Sequence, residues 1–249
     1  MERLNLSNIL EIKNLKRSFG GVKAVDGCSF EIESGKIIAM IGPNGSGKTT
    51  VFNLISGILS VDSGKIILDG SNITDNSVEE RARLGISRMY QQSRLFKNLT
   101  VKENLLLVLD QRNFNFFARS KPSTEQTEQI NEILDLFELN KKINMPVKTL
   151  SFGQRRLIEI ARTYLLPHKI MLLDEPVAGV TPHLRNEISK FLTKLKDEGE
   201  TILIIEHDMN FVYNLVDEVV VMDAGKIIAH GNPVEIEKNQ KVKEAYLGA

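Results

Sequence analysis

Eight residues, Gly42-Pro43-Asn44-Gly45-Ser46-Gly47-Lys48-Thr49, fit the spacing G-x-x-x-x-G-K-S/T. These residue types in this order can hold a polyphosphate. Gly45 and Gly47 carry no Cβ, so the backbone can curl and aim several N–H groups at one anion. A helix opening at that point adds partial positive charge where the anion would sit. Lys48 is spaced to reach the β- and γ-phosphates of a nucleoside triphosphate, and the Thr49 hydroxyl to take a place around Mg2+. The apolar run 37–41 just before the loop reads as a buried strand, and Val51, Leu54 and Ile55 keep helical spacing up to Gly57, a C-cap type. That strand–loop–helix setting separates a phosphate cradle from a glycine-rich turn with a chance lysine.

A second group of candidates follows the apolar run Ile170-Met171-Leu172-Leu173, which ends in Asp174-Glu175-Pro176. Neighbouring side chains on a strand point to opposite faces, so the two acids are expected to do different work. Asp174 would hold Mg2+, directly or through water, while Glu175 would face the γ-phosphate and its attacking water. Another strand, 201–205, ends at Glu206-His207-Asp208. His207 is either a satisfied polar residue or a catalytic one, and its place after a core strand is where α/β sites collect. Ser151, a natural N-cap, and Gly153, which leaves helix N–H groups open, start either an ordinary helix or an anion-facing one. Phe19, beside the Gly20-Gly21 turn, either pins that loop or offers a face for a nucleotide base.

The elements that must position these residues are legible in outline. From Ile9 to Gly35 a two-fold alternation, clearest where Cys28, Phe30 and Ile32 alternate with polar residues, predicts antiparallel strands. A strand over 65–68 closes at the turn Asp69-Gly70. The stretch 85–92 is extended and ends in Gln91-Gln92. Thr100 and Glu103 are spaced as a capping box ahead of an apolar helix. Ile130, Ile133, Leu134 and Phe137 stand on one helical face, and so do Leu157, Ile160, Ala161 and Tyr164. Leu184, Ile188, Phe191, Leu192 and Leu195 mark a further helix. The polar stretch 111–127, with Phe114, Phe116 and Phe117, reads as a surface loop or as a contact. A strand hairpin flanks Asp223-Ala224-Gly225, and one mixed helix is expected from Pro233 to the end. A helical middle between α/β flanks predicts a helical subdomain inserted in an α/β core.

Composition sets the remaining bounds. A chain of 249 residues, 42% hydrophobic, can bury a full core as one large domain, or as one domain with a subdomain. Basic and acidic residues balance at 32 each, so no net field points to nucleic acid or to an anionic membrane. Cys28 is the one cysteine, which excludes an internal disulfide and fits a reducing compartment. No apolar run approaches the roughly 18 residues that span a bilayer, and the first thirty residues lack a signal-peptide core. The expected protein is soluble by itself, which leaves attachment to a membrane partner open.

Taken together, Tyr90-Gln91, the helix start Leu150-Ser151-Phe152-Gly153-Gln154, Leu172-Leu173-Asp174-Glu175-Pro176 and Glu206-His207-Asp208, in that order around the cradle, resemble the ATP-binding subunits of ABC transporters. The resemblance covers nearly the whole chain. It implies an α/β fold with a P-loop NTPase (RecA-like) core, an antiparallel β-subdomain and an inserted helical subdomain. A single domain over 1–249 would then divide into 1–92 and 163–249 for the core with its β-subdomain, and 93–162 for the helical part. By position, Phe19 matches the adenine-stacking aromatic, and Gly42, Pro43, Asn44, Gly45, Ser46, Gly47, Lys48, Thr49 and Thr50 match the Walker A loop. Gln91, directly after an aromatic, matches the Q-loop glutamine, which the resemblance makes both a catalytic residue and a metal ligand alongside Thr49 and Asp174. Ser151, Gly153 and Gln154 match the signature, Asp174 the Walker B acid, Glu175 the catalytic carboxylate and His207 the switch histidine. Two positions depart from the pattern: Phe152 stands where the signature has its first glycine, and Thr181 where an aspartate or asparagine is usual. ATP and Mg2+ are the implied cofactors. The implied partners are membrane permease subunits, a second ATP-binding subunit closing head to tail, and a substrate-binding protein through the permease.

Within the family, Arg88-Met89-Tyr90-Gln91, Arg94-Leu95-Phe96, Leu99-Thr100-Val101, Glu103-Asn104-Leu105-Leu106 and the ending Glu244-Ala245-Tyr246-Leu247-Gly248 are similar to the branched-chain amino-acid importer ATPases. Urea-type importers and lipopolysaccharide-export ATPases share much of this and remain alternatives. The expected function is ATP hydrolysis that energises a separate permease, at the cytoplasmic face of the membrane. A non-transport ABC protein would more often carry paired cassettes and basic surface, and a non-hydrolysing regulatory binder would tend to lose Glu175 and His207.

Overall fold

The computed structural model describes residues 8–109 and 122–247. The expected 111–127 loop, with Phe114, Phe116 and Phe117, falls largely outside the described residues, as does Gly248.

Two sheets carry the fold. The first is built from β1 (Asn8–Phe19), β2 (Val22–Glu33), β4 (Ser63–Leu68) and β5 (Ser71–Asn72), in the order β2-β1-β4-β5 and antiparallel throughout. Its β4–β5 turn holds both Asp69 and Gly70 at positive φ, the type I′ geometry that an Asp-Gly pair favours. The second contains β3 (Ile37–Ile41), β6 (Ile86–Met89), β7 (Ile170–Asp174), β8 (Ile202–Ile205), β9 (Glu218–Asp223) and β10 (Lys226–Gly231), ordered β10-β9-β3-β8-β7-β6. From β9 to β6 all neighbours are parallel, and β10 returns antiparallel on the edge.

Strands β3, β7 and β8 are buried at every position, as continuous apolar runs covered on both faces should be. Alternate residues serve two cores. Ile38, Met40, Leu172 and Leu203 join the antiparallel sheet and α1 (Lys48–Ile55) on one side, while Ala39, Ile41, Leu173 and Ile204 join the helical side. Cys28 lies in the first core, its thiol donating to the Gly225 carbonyl and pushed up to about 11 by burial.

Between β6 and β7 run α3 (Val101–Leu109), α4 (Thr124–Leu136) and α5 (Phe152–Leu165), with α2 (Val78–Leu84) just before β6. The Thr100–Glu103 capping box forms in both directions, and Ile130, Ile133, Leu134 and Phe137 are all buried. After β7 come α6 (Pro182–Asp197) and α7 (Met209–Leu215). The chain end differs from the single helix expected: α8 (Pro233–Lys238) and α9 (Gln240–Leu247) are separated at Asn239, whose extended backbone breaks the helix and whose side chain accepts from the Lys241 N–H.

Candidate functional site

Four adjacent parallel strands deliver the candidate residues from their carboxyl ends. β3 opens into the 42–49 loop, β8 into Glu206-His207, β7 into Glu175 and β6 into Tyr90-Gln91. The ends are level, because Met40 and Asp174 both pair with Ile205 on β8, and Leu173 pairs with Met89 on β6. Residues far apart in the chain therefore share one rim, the place where open parallel sheets bind ligands.

The loop is clamped from behind. Gly225 donates its N–H to the Ser46 carbonyl at 3.0 Å, and a Cβ on Gly47 would come within 2.3 Å of the Ala24 carbonyl. Only glycine allows that approach, and Gly47 also holds φ +106. The helix α1 starts at Lys48 with no side-chain cap and no acidic residue in its first turn, so its leading N–H groups are left for an anion. Lys48 is buried, and its Nζ donates to the Gly42 and Pro43 carbonyls at 2.8 and 2.9 Å and to Ser46 Oγ at 3.3 Å. Burial lowers the Lys48 pKa, and the nearby Glu175 and Asp174 carboxylates oppose that shift. The acids at the end of β7 and the cradle after β3 flank the same strand, β8, so they share this rim. Asn44, Gly45 and Thr49 are exposed at its mouth, while Pro43 and Thr50 are half-buried.

The two acids take different partners, by a route other than strand alternation. Asp174 is the last residue of β7, while Glu175 lies past the strand end in a left-handed conformation, φ +51. Asp174 is buried with its carboxylate 3.7 Å from Arg88; burial raises its pKa, partly offset by that guanidinium. Glu175 turns instead to His207, Oε1 to Nε2 at 3.1 Å. The His207 backbone N–H donates to Glu206 Oε2, and Glu206 Oε1 accepts from Val177 N–H at 3.0 Å. Buried Glu206 thus ties the histidine to the turn after Glu175, although burial raises its own pKa. A carboxylate touching an imidazole at a polyphosphate cradle can orient and deprotonate a water.

Gln91 and Gln92 are both exposed just past β6, beside Tyr90, whose ring carries Arg94 at 3.5 Å and Arg88 at 5.2 Å from its centroid. Phe19 is 43% exposed at the end of β1 with Arg17 at 4.9 Å from its ring centroid. Ser151 caps α5 in a reciprocal capping box with Gln154, and Lys142 also donates to Gln154 Oε1. No hydrogen bond or ion pair among the described residues links Ser151, Gly153 or Gln154 to the cradle of the same chain. A Cβ on Gly153 would meet the end of the Leu184 side chain at 2.3 Å, so Gly153 lies where α5 packs against α6. The Phe152 ring is exposed but lies over Gly179 of its own chain. Thr181, the other departure, is the N-cap of α6, with Pro182 at the first helical position.

Sequence reasoning passed over three charged residues at this rim: Arg88, Glu206 as a brace for His207, and Arg156. Buried charges of this kind leave no periodic signal, and Arg156 sits next to an apolar helix face where a solvated residue is the ordinary expectation.

Residues 25–178 match the family model described as ABC transporter, and 226–249 match one described as branched-chain amino acid ATP-binding cassette transporter. The chain is 39% identical to the high-affinity branched-chain amino acid transport ATP-binding protein BraF of Pseudomonas aeruginosa, over 96% of this chain and 98% of that one. It is 35% identical to the lipopolysaccharide export system ATP-binding protein LptB of Haemophilus influenzae, over 97% and 98%. Among solved structures, an ATP-binding cassette of an ABC transporter in its ADP conformation matches with TM-score 0.83 and 35% identity, over 98% of this chain and 100% of that one. A dimeric cassette in a post-hydrolysis state with ADP and Pi matches with TM-score 0.77 and 25% identity, over 90% and 98%. Cradle, acids, histidine and fold thus converge with these likenesses: the chain belongs to the ABC transporter family, as one of its ATP-binding, ATP-hydrolysing cassettes.

Proposed function

We propose that this cassette energises a separate membrane permease for import of branched-chain or other amino acids, acting at the cytoplasmic face. The observation that carries the hydrolytic part is the rim itself, where Lys48, Asp174 and the Glu175–His207 pair meet on adjacent strand ends. The likeness to BraF and the match of 226–249 support the substrate class. No helix among the described residues is long and apolar enough to cross a membrane.

In this reading the triphosphate draws Lys48 Nζ away from the Gly42 and Pro43 carbonyls, and the 45–50 backbone wraps its phosphates. Phe19 stacks on the base. Thr49, Gln91 and Asp174 would hold Mg2+; the buried Asp174 carboxylate, faced only loosely by Arg88, fits a hard cation. When bound, the ion would supply positive charge against the triphosphate. Glu175 orients the attacking water and accepts its proton, and His207 holds Glu175 and reaches the γ-phosphate. Ser151, Gly153 and Gln154 contact the nucleotide of a second cassette in a head-to-tail dimer, a reading supported by the dimeric likeness. The division into 1–92 with 163–249 and an inserted 93–162 gives the helical part its role: exposed Phe96, in a loop pinned to Asn104, docks the permease. A substrate-binding protein joins through that permease.

The test is purification of this chain from solubilised membranes, identification of the membrane chains that accompany it, and ATP-driven uptake of labelled leucine by vesicles carrying the complex. Absence of a membrane-spanning companion would refute the permease. The likeness to LptB favours lipid export as the second reading; ATP-driven lipopolysaccharide release without amino-acid uptake would select it.

A further inference from the structure

Arg156 is buried, 4% exposed, on the helix that Ser151 caps. Its Nη2 donates to two successive carbonyls, Asp174 O at 3.0 Å and Glu175 O at 2.6 Å. Its Nη1 reaches Tyr90 O at 3.5 Å and the Glu159 carboxylate at 3.3 Å. Successive carbonyls of a strand point to opposite sides, yet one guanidinium nitrogen takes both of these. The left-handed backbone at Glu175 brings them together, and a non-glycine residue holds that conformation only where its surroundings impose it. From the other side, Glu206 grips Val177. The turn bearing the Glu175 carboxylate is thus pinned between α5 and the end of β8.

We infer that Arg156 is a positioning residue for hydrolysis, setting the Glu175 backbone so that its carboxylate meets His207, and carrying movement of the start of α5 into that turn. Four residues separate Ser151, which would face a second cassette's nucleotide, from Arg156, whose guanidinium grips the hydrolytic turn of its own chain. Closure of one site thereby adjusts the other. The inference rests on the assignment of Glu175 as the hydrolytic carboxylate.

Arginine is required because its planar fork spans several acceptors at once, whereas lysine supplies the charge as a single point. Arg156→Lys should lower kcat for MgATP roughly 10- to 100-fold, the effect of displacing a catalytic group by about 1 Å, with KM for ATP changed by less than about twofold. In single-turnover hydrolysis, Arg156→Lys added to Glu175→Gln should cause no further loss, since both act through one group. Glu159→Gln, which loosens the guanidinium without removing it, should give a smaller loss of the same kind and decides the matter if Arg156→Lys does not fold. Unchanged kcat in a folded Arg156→Lys, or in Glu159→Gln where Arg156→Lys does not fold, overturns the inference, and so does a loss that multiplies in full with Glu175→Gln. Wild-type hydrolysis by Glu175→Gln alone would instead overturn the assignment of Glu175.

Discussion

Replacing Glu175 with glutamine removes a base while leaving its shape. The Glu175 side chain is about a quarter exposed and pairs with a His207 that is more exposed still, 24% and 40%. A pair so wetted contributes at most about 1 kcal/mol to stability, and the glutamine carbonyl can still accept from His207 Nε2. For a chain of this size that bounds the fall in melting temperature at roughly 2–4 °C. The left-handed backbone, held by Arg156 and Glu206, places no demand that glutamine cannot meet. Chemistry fares differently. Loss of the general-base help proposed for Glu175 should slow hydrolysis about 10²–10⁴-fold, some 3–5 kcal/mol on the barrier. The kinetic effect therefore exceeds the structural one several-fold, and nucleotide affinity stays near wild type because Lys48 and the cradle are untouched. Phosphate release at saturating MgATP reads the rate, and titration with labelled ATP reads affinity. Because ATP would bridge two cassettes, the stalled protein should run as a dimer in size-exclusion chromatography with ATP and as a monomer with ADP. Hydrolysis by Glu175→Gln at the wild-type rate would show that the water is activated elsewhere.

Lys48→Ala should greatly weaken ATP binding, because it withdraws a buried cation from the triphosphate; wild-type affinity in a titration would refute the cradle. Arg81, buried and donating to the Leu54, Ile55, Thr74 and Asn76 carbonyls, closes the end of α1, and Arg81→Met should cost about 3 kcal/mol, readable in chemical denaturation. His168 has its ring nitrogens 2.6 Å from Leu166 O and 3.0 Å from Glu200; burial lowers its pKa, but these bonds raise it more, for a net upward shift. Its stabilisation is complete below the unfolded value of about 6.5 and is lost as pH rises through the higher folded value, so His168→Gln should flatten the decline in melting temperature from mildly acidic to mildly alkaline pH. Phe96→Asp should leave ATP hydrolysis by the isolated chain intact and abolish co-purification with the permease; retained pull-down would move docking elsewhere.

Local chemistry was legible without coordinates wherever the chain itself supplies both halves of an interaction. The cradle needs only a strand, glycines and a helix start in succession, and the Thr100–Glu103 box needs only two residues three apart. The Asp69-Gly70 turn, the alternation of β2 and the apolar faces of α4, α5 and α6 belong to the same class, because pattern period and turn type are short-range properties. Even the divergent Thr181 becomes intelligible as a cap once Pro182 follows it. What tertiary structure alone decided is which distant charges meet. Arg88 faces Asp174, Arg156 grips the carbonyls of Asp174 and Glu175, and Glu206 braces His207 against Val177. Asp174 and Glu175 were expected to diverge by strand alternation, but the strand ends between them and a left-handed residue does the separating. The physical reason is common to all of these. A buried charge is tolerated only where packing brings it partners, and those partners lie on other elements; neither composition nor period records them, whereas the level ends of four parallel strands do.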